Sequence, residues 1–382
     1  MENIVAYTIS DDKMVLTRKL EDAIEGGEFA NREFIKKIIL PDGIKTIGPR
    51  AFAGCDNLEE IIFNDDLQSI CDRAFHKCKK LEKAILPKSL KSLGEGAFSF
   101  CMSLDNICMP PATVIPDNCF YRCKSLENVE FSEGTEFIES NSFEYTSIKR
   151  VKLPSTLKVI GVSAFAHTDL NEVTGDLSSI RTVGFDAFLD TPIYFNEDEN
   201  GIVRIGNIII KANKTPEELK LENCLLASSC FKDNKYIKEL LLVNCKGINN
   251  YAFEYSGIKA LQVTGGSLTL GKEIFKRCDI KIIEFDTKSM CFQSSSLAKA
   301  KIKTLFIWTE ETKFCFCSMP EAEIEALSLR INHKTTVEEN AFVLANIKEL
   351  TFLGSLESET YSIPNTEELE NILSIKNEKE SA

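Results

Sequence analysis

Fourteen cysteines are the residues of this 382-residue chain that first suggest chemistry, because thiolates bind zinc and thiol pairs form disulfides. Five of them share one position of a repeated pattern, three residues after a phenylalanine: Cys55, Cys78, Cys101, Cys123 and Cys278. A position reused so regularly is typical of packing, since a buried free cysteine behaves as a small apolar side chain. Disulfides between neighbouring repeats remain the alternative, because equivalent positions of adjacent repeats lie close together.

Metal binding is not supported by the spacing of these cysteines. Cys119 and Cys123 are four residues apart and Cys315-Phe316-Cys317 is a C-x-C, but the chain has no C-x-x-C pair and only three histidines to complete a site. We therefore predict no metal and no cofactor.

The histidines do not form a catalytic pattern either. His76, His167 and His333 lie in different repeats, and the first two occupy variable positions that we expect to face outward. The sequence contains no G-x-S-x-G, P-loop or G-x-G-x-x-G motif. These observations predict that the protein is not an enzyme.

The charge of the chain excludes two classes of partner. Its formal net charge is −13, whereas nucleic-acid binding requires a basic surface that releases counterions, and anionic membranes repel an acidic protein. No run of 18 apolar residues is present that could span a bilayer. We expect neither nucleic acid nor membrane insertion.

A set of regularly spaced phenylalanines, here called the aromatic ladder with each phenylalanine as one rung, indicates the fold that positions all these residues. Phenylalanines recur at steps of 22 or 23 residues, with two longer steps, and Leu297 and Met319 fall where the missing rungs before Phe342 belong. A period of this length predicts a solenoid, in which each unit buries its apolar face by stacking on its neighbours. The rungs are Phe52, Phe75, Phe98, Phe120, Phe143, Phe165, Phe188, Phe231, Phe253, Phe275 and Phe342.

The unit around each rung predicts a short strand followed by turns. Residues 81–101 show the full pattern: apolar residues at the first, fourth and sixth positions, then Pro87, a Leu-Gly pair ending at Gly94, and Ala-Phe-x-x-Cys ending at Cys101. The alternation predicts a strand, and Pro87 ends it because proline has no N–H to donate to a sheet. The Leu-Gly pair predicts a second short extended segment closed by a turn.

The pattern L-x-x-I-x-L-P-x-x-L-x-x-I-G-x-x-A-F-x-x-C resembles the BspA-like class of leucine-rich repeats. Seven successive units span residues 34–195, and about seven more degenerate ones span 218–353. The resemblance implies a repeat solenoid: a right-handed leucine-rich-repeat coil with a parallel β-sheet on its concave face, mainly β with short helical or irregular returns. It also implies that secreted members are adhesin-like surface proteins.

The remaining segments predict caps and one insertion. A strand pair is expected at the start, and Pro364 with the residues behind it predicts a helix over the last coil. The segment after the acidic turn at 196–200 looks like the hairpin insertion that members of the family often carry. The predicted organisation is 1–33 N-terminal cap, 34–195 first repeat array, 196–217 β-hairpin insertion, 218–353 second repeat array, and 354–382 C-terminal cap helix and tail.

The residues at one outward-facing position of successive main-sheet strands form a column that departs from the family pattern. Relatives most often carry Thr or another polar residue at this position. Side chains alternate along a strand, so this column points away from the core. An apolar stripe rimmed by charges is typical of a partner site. Packing of β-branched residues within the sheet and coverage by the N-terminal cap are the alternatives. The predicted partner-binding residues are Ile39, Ile62, Ile85 and Cys108, with Lys37, Glu60 and Lys83 beside them.

Two functions remain open at this stage. We favour a monomeric, intracellular protein–protein interaction scaffold with an unknown partner; the alternative is an exported adhesin that binds a protein or glycan. The first residues show no basic segment and no apolar core of a signal peptide, and abundant thiols favour a reducing compartment. We therefore expect a cytoplasmic protein, or a cell-surface or secreted one if a leader has been removed.

Overall fold

A computed structural model of the chain describes residues 6–10, 13–17, 22–111, 114–330, 335–338, 340–353 and 358–362. The chain divides into two compact units, Met1–Asn196 and Glu197–Ala382. Each unit is a β-solenoid in which strands of successive turns pair in parallel. In the described part of the chain the only helix is a 3₁₀ turn at Pro192–Phe195. The predicted solenoid is confirmed, and its returns are turns rather than helices.

Two ladders of short strands form the first unit. Its strands are β1 (Ala6–Ser10), β2 (Lys13–Thr17), β3 (Ala23–Ile24), β4 (Lys37–Ile39), β5 (Thr46–Ile47), β6 (Glu60–Ile62), β7 (Ser69–Ile70), β8 (Lys83–Ala84), β9 (Ser92–Leu93), β10 (Asn106–Cys108), β11 (Val114–Ile115), β12 (Asn128–Glu130), β13 (Phe137–Ile138), β14 (Arg150–Leu153), β15 (Val159–Ile160), β16 (Glu172–Gly175) and β17 (Thr182–Val183). The main ladder consists of the sheets β1-β2-β4-β6-β8, β10-β12 and β14-β16. The two-residue Ile-Gly-type segments form the second ladder, β3-β5-β7-β9 and β11-β13-β15-β17. All pairs are parallel except β1–β2.

In the second unit the two ladders merge into one fourteen-stranded sheet. Its strands are β18 (Ile202–Ile205), β19 (Ile208–Ala212), β20 (Glu218–Glu222), β21 (Leu225–Leu226), β22 (Glu239–Val243), β23 (Gly247–Ile248), β24 (Ala260–Leu270), β25 (Asp279–Phe292), β26 (Lys301–Ile307), β27 (Glu311–Phe314), β28 (Glu323–Arg330), β29 (Thr335–Val337), β30 (Asn346–Leu353) and β31 (Ser358–Ser362). β24 and β25 run through both ladders, in a stretch where no proline lies between residues 217 and 319. The uniformly short strands expected from the first array are therefore absent here.

The aromatic ladder forms the core, as the spacing predicts. In the first unit successive rings are stacked with centroids 5.2 to 5.8 Å apart and planes within 6° to 10° of parallel. Phe29 is a further rung, 5.4 Å from Phe52, inside the segment predicted as the N-terminal cap. Leu297 and Met319 are fully buried at the positions of the missing rungs.

The repeated cysteine has a defined hydrogen-bonding role. Its Sγ donates to the backbone carbonyl of the ladder phenylalanine in the preceding turn, at 2.8 to 3.3 Å in all five cases. Burial raises the pKa of Cys55 to about 11 and that of Cys101 well above its usual range, so each thiol keeps its proton at neutral pH. Where a turn has Thr146, Thr168 or Thr191 instead, the hydroxyl donates to the phenylalanine carbonyl of its own turn.

Glycine of the Ile-Gly pair is required where adjacent turns approach closely. A Cβ on Gly94 would lie 2.2 Å from the backbone N of Asp72, and one on Gly161 would lie 2.6 Å from the backbone of Glu139. These are backbone atoms, which cannot move aside as a flexible side chain can. At these two turns the second ladder approaches the preceding turn so closely that a residue with a side chain would clash.

The ends of the second unit are antiparallel. β18 pairs with β19 in the segment where the sequence predicts a hairpin, and β19 continues in parallel to β21. At the other end, β31 pairs with β30. The helix predicted from Pro364 onward lies outside the described residues.

Candidate functional site

His76 is engaged in packing on the turn surface of the first unit. Its Nδ1 lies 2.7 Å from the Ser99 Oγ, and its ring meets Phe100 edge-to-face at 5.4 Å. His333 lies outside the described residues. Among the residues that the structure describes, no group of three or more His, Cys, Asp or Glu side chains is arranged to hold a metal ion.

His167 lies in the next-to-last Ala-Phe turn of the same unit and is flanked by carboxylates. Its ring stacks on Tyr145 with centroids 4.5 Å apart, Nδ1 is 3.2 Å from Asp190, and Nε2 is 3.9 Å from Glu144. Burial raises the pKa of Glu144. Both ring nitrogens face carboxylates and one ring face is covered, so the contacts position the imidazole as a bridge between neighbouring turns.

The outer face of the first unit's main sheet carries the predicted stripe. Ile61 in β6 and Ala84 at the end of β8 are buried, whereas the residues that follow them, Ile62 and Ile85, are 42% and 82% exposed. Ile39 is half-buried. The alternation places all of these outward side chains on the face that the sequence predicts, opposite the aromatic core.

The structure brings only part of the stripe into direct strand register. Ile39 pairs with Ile62 across β4 and β6, whereas β8 ends at Ala84, so Ile85 lies beyond the paired segment. Cys108 lies on the separate β10–β12 pair, opposite Glu130, and its Sγ is 3.7 Å from the Glu130 carboxylate. In the stripe, therefore, Ile39 and Ile62 are cross-strand partners, whereas Ile85 and Cys108 have no cross-strand partner within the stripe among the strands that the structure describes.

Charged side chains border the stripe as predicted. Lys37 forms an ion pair with Glu60, its register partner, and Glu60 is in register with Lys83 on the next strand. Lys83 is exposed. Ion pairs at a protein surface add about 0–1 kcal/mol to stability. Their effect here is to give the apolar stripe a polar edge.

The N-terminal strands extend the sheet at its edge. β2 pairs with β4, so that Val15 is in register with Ile39. An added edge strand lies beside the outer face and leaves Ile62 and Ile85 exposed. The described residues therefore do not provide the coverage by a cap that the sequence allowed.

A second apolar patch lies on the main sheet of the second unit. Leu241, Ala260 and Ile282 line a groove of about 520 Å³, with Glu239 and Glu284 among the acidic residues around it. Ile282 is 38% exposed. The sequence contained a sign of this patch, because Ile282 stands one period after Ala260 and pairs with it across β24 and β25. These two residues belong to the outward position beside the one that forms the stripe.

Comparison with known proteins gives a family match over most of the chain. The sequence profile described as BspA type leucine-rich repeat region (6 copies) matches residues 22–115, 111–217, 199–281 and 246–370. Comparison with curated proteins gives no match.

Several solved bacterial structures are similar. A leucine-rich repeat protein from Bacteroides ovatus ATCC 8483 is 16% identical over 93% of this chain and 99% of its own, with a TM-score of 0.42. A leucine rich cell surface protein from Faecalibacterium prausnitzii A2-165 is 18% identical over 93% and 95%, with a TM-score of 0.38. A T. pallidum leucine-rich repeat protein is 24% identical over 47% and 82%, with a TM-score of 0.31.

Proposed function

From the premise that this chain belongs to the BspA-type leucine-rich repeat family, we propose that it is a non-enzymatic scaffold that binds a protein partner. The fold is consistent with an interaction scaffold, since a solenoid displays an extended surface formed by equivalent positions of successive turns. The surface that we assign to the partner is the stripe Ile39, Ile62, Ile85 and Cys108 on the first unit's main sheet. No helix in the described residues is long and apolar enough to cross a membrane.

The exposure of Ile85 is the observation that carries this proposal. A β-branched residue within a sheet can be explained by cross-strand packing, and Ile39 with Ile62 fits that explanation. Ile85 does not fit it, because β8 ends one residue earlier and 82% of the residue is exposed. Complete burial of such a side chain by a partner would contribute about 1.5–3 kcal/mol.

Paired substitutions distinguish a binding surface from sheet packing. Ile62→Asp/Ile85→Asp should abolish capture of the protein's partner while the melting temperature falls little. The matched control is Val162→Asp/Phe185→Asp, which also replaces two exposed apolar residues on adjacent turns of the same unit, but away from the main sheet. Capture should survive in that control.

Two results would contradict the proposal. If both double variants retain the partner, the stripe is not the binding surface. If Ile62→Asp/Ile85→Asp loses about 1 kcal/mol or more of folding free energy while the folded fraction still binds the partner, cross-strand packing explains the stripe, since cross-strand pairs contribute energies of about this size.

We also propose that the protein works in a reducing, cytoplasmic compartment. All fourteen cysteines are free thiols, and the repeated ones donate their S–H to carbonyls in the core, which a disulfide would prevent. Protein isolated without reductant and then denatured should release close to fourteen titratable thiols. Five or more disulfides would instead favour the exported, adhesin-like function that the family resemblance implies for secreted members.

A further inference from the structure

We propose that a basic groove on the turn surface of the first unit binds an acidic peptide segment of another protein. The groove, here called the turn groove, has a volume of about 650 Å³, and its lining includes Arg50, Arg73, His76, Lys77, Phe100 and Tyr121. It lies at the Ala-Phe turns, whereas the stripe lies on the main sheet. The two sites use different columns of the repeat.

Left-handed backbone places the cations in the turn groove. The residues two before and two after each ladder phenylalanine have positive φ, including Arg50 (57°), Arg73 (56°), Lys77 (63°) and Phe100 (62°). This conformation suits Gly or Asn and costs other residues about 1–2 kcal/mol. Later turns of the unit have Asn118, Asn141 and Ser163 at the first of these positions, so long side chains there are not a requirement of the fold.

The charge in the turn groove is opposite to that of the whole chain. Only one carboxylate lines it, that of Glu95, which is 3.0 Å from Arg73. In the described part of the chain, Arg50 and Lys77 form no ion pair within 4.0 Å. The formal net charge of the chain is −13, so unpaired cations concentrated on one surface indicate an anionic ligand.

His76 reports the electrostatic field inside the turn groove. Burial lowers its pKa, and Lys77, Arg73 and Arg50 lower it further, so the three cations act on one ring. Ser99 Oγ donates to a backbone carbonyl and therefore accepts from His76 Nδ1–H, which leaves Nε2 as the nitrogen free to titrate. A bound carboxylate would offset the cations and raise the pKa of His76 toward its ordinary value.

The dimensions fit a short extended peptide. The lining runs from Gly27 to Tyr121, which covers five turns of the solenoid. Turns about 4.8 Å apart give a length of about 19 Å, and an extended chain rises about 3.3 Å per residue, so about six residues fit. Beside Tyr121, Arg122 is held over the rings of Tyr121 and Tyr145. Recognition of acidic motifs by arginine clusters is a recurring mode of peptide binding.

Fluorescence anisotropy at low ionic strength tests this proposal on the full chain. The probes are fluorescein-labelled hexaglutamate, its hexaglutamine counterpart and a six-residue oligothymidylate. Hexaglutamate should bind, hexaglutamine should not, and Arg50→Glu/Lys77→Glu should weaken hexaglutamate binding at least tenfold, which is about 1.4 kcal/mol. Ile62→Asp/Ile85→Asp should leave it unchanged, because the stripe is a separate site.

A charge-matched variant and a spectroscopic readout make the test specific. Lys88→Glu/Lys152→Glu makes the same change in net charge at exposed positions outside the turn groove and should bind hexaglutamate like the wild type. The His76 pKa, followed by NMR, should rise when hexaglutamate binds. If Arg50→Glu/Lys77→Glu does not fold, Arg50→Gln/Lys77→Gln replaces it.

Three results would overturn the proposal. They are no hexaglutamate binding by the wild type, equal loss of binding in the two charge-reversal variants, and tighter binding of the oligothymidylate than of hexaglutamate. The second would mean that only net charge matters, and the third that the anionic ligand is a nucleic acid.

Discussion

Replacing Phe98 with alanine removes a ring from the middle of the first unit's aromatic ladder. Phe98 is fully buried, with ring centroids 5.2 Å from Phe75 and 5.7 Å from Phe120. Its backbone N–H donates to the next turn at 2.9 Å, so the neighbouring turns are held in place and cannot collapse into the space. A truncation of this kind costs about 3–5 kcal/mol, and the fixed backbone indicates the upper part of that range.

The loss should spread to both neighbouring turns, because each turn of a solenoid is stabilised mainly by the turns on either side. Hydrogen exchange measured by mass spectrometry should show reduced protection in the peptides that contain Phe75 and Phe120. Phe342→Ala is the comparison: its ring tilts at 48° against Phe314 near the end of the second unit, and its loss should leave those peptides protected. Phe98→Leu, which keeps most of the volume, should give a smaller effect of the same pattern. Unchanged protection around Phe75 and Phe120 in Phe98→Ala would refute the ladder as the source of stability.

Three further measurements follow from the packing. Native alkylation with peptide mapping should modify exposed Cys108 and spare buried Cys101 until the protein unfolds; equal rates would show that the repeated thiols are not core groups. Gly161→Ala should lower the melting temperature through its backbone clash, whereas Gly266→Ala, with open space around it, should not; a stable Gly161→Ala variant would contradict the close approach of the turns. Folding lowers the pKa of His76 from 6.5, so below about pH 6.5 the unfolded chain binds more protons than the folded one. The free energy of unfolding should therefore decrease as the pH falls from about 6.5 through the pKa of His76 in the folded protein. Comparing urea midpoints of the wild type and His76→Gln across this range tests it, since the variant should lose less stability.

Much of the core could be predicted from the sequence because one period governs it. The rungs, the repeated thiol and the Ile-Gly corner all recur at the same spacing, and the structure buries them as expected. Phe29 was missed although it stands 23 residues before Phe52, because the segment before it lacks the strand pattern by which the other units were identified. Spacing alone would have found this rung.

The second unit shows where the pattern was misleading. The sequence predicts short strands ended by proline, yet β25 runs for 14 residues through two ladders. A repeat identifies which residues are equivalent, but it does not determine how far each strand extends; proline is one residue that ends a strand, because it has no N–H to donate. No proline lies between residues 217 and 319, so long strands are possible there, although β22 and β26 end in the same stretch without one.

The surfaces could be predicted only in part, because the core leaves the outward columns free. The inward column stays apolar from Ile61 through Ile107 to Val151, while the outward one changes from Ile62 to Cys108 and Lys152 without altering the coil. The stripe was found because alternation along a strand places its side chains on one face. The turn groove was not predicted, because left-handed backbone at the turns brings its cations together. The spacing of apolar residues does not reveal that conformation.

Because the core and the surface vary independently, the stripe and the turn groove should be separable by mutation. Ile62 and Ile85 lie on the main sheet, and Arg50 and Lys77 lie at the Ala-Phe turns, with the aromatic ladder between them. Substitutions at exposed positions that share no contacts usually have additive effects, to within about 0.5 kcal/mol. A protein carrying all four substitutions should therefore lose both binding activities and still keep the hydrogen-exchange protection of Phe98 and its neighbouring rungs. Loss of the ladder's protection in that protein would mean that at least one of the two surfaces is part of what holds the turns together, and that its residues are retained for folding.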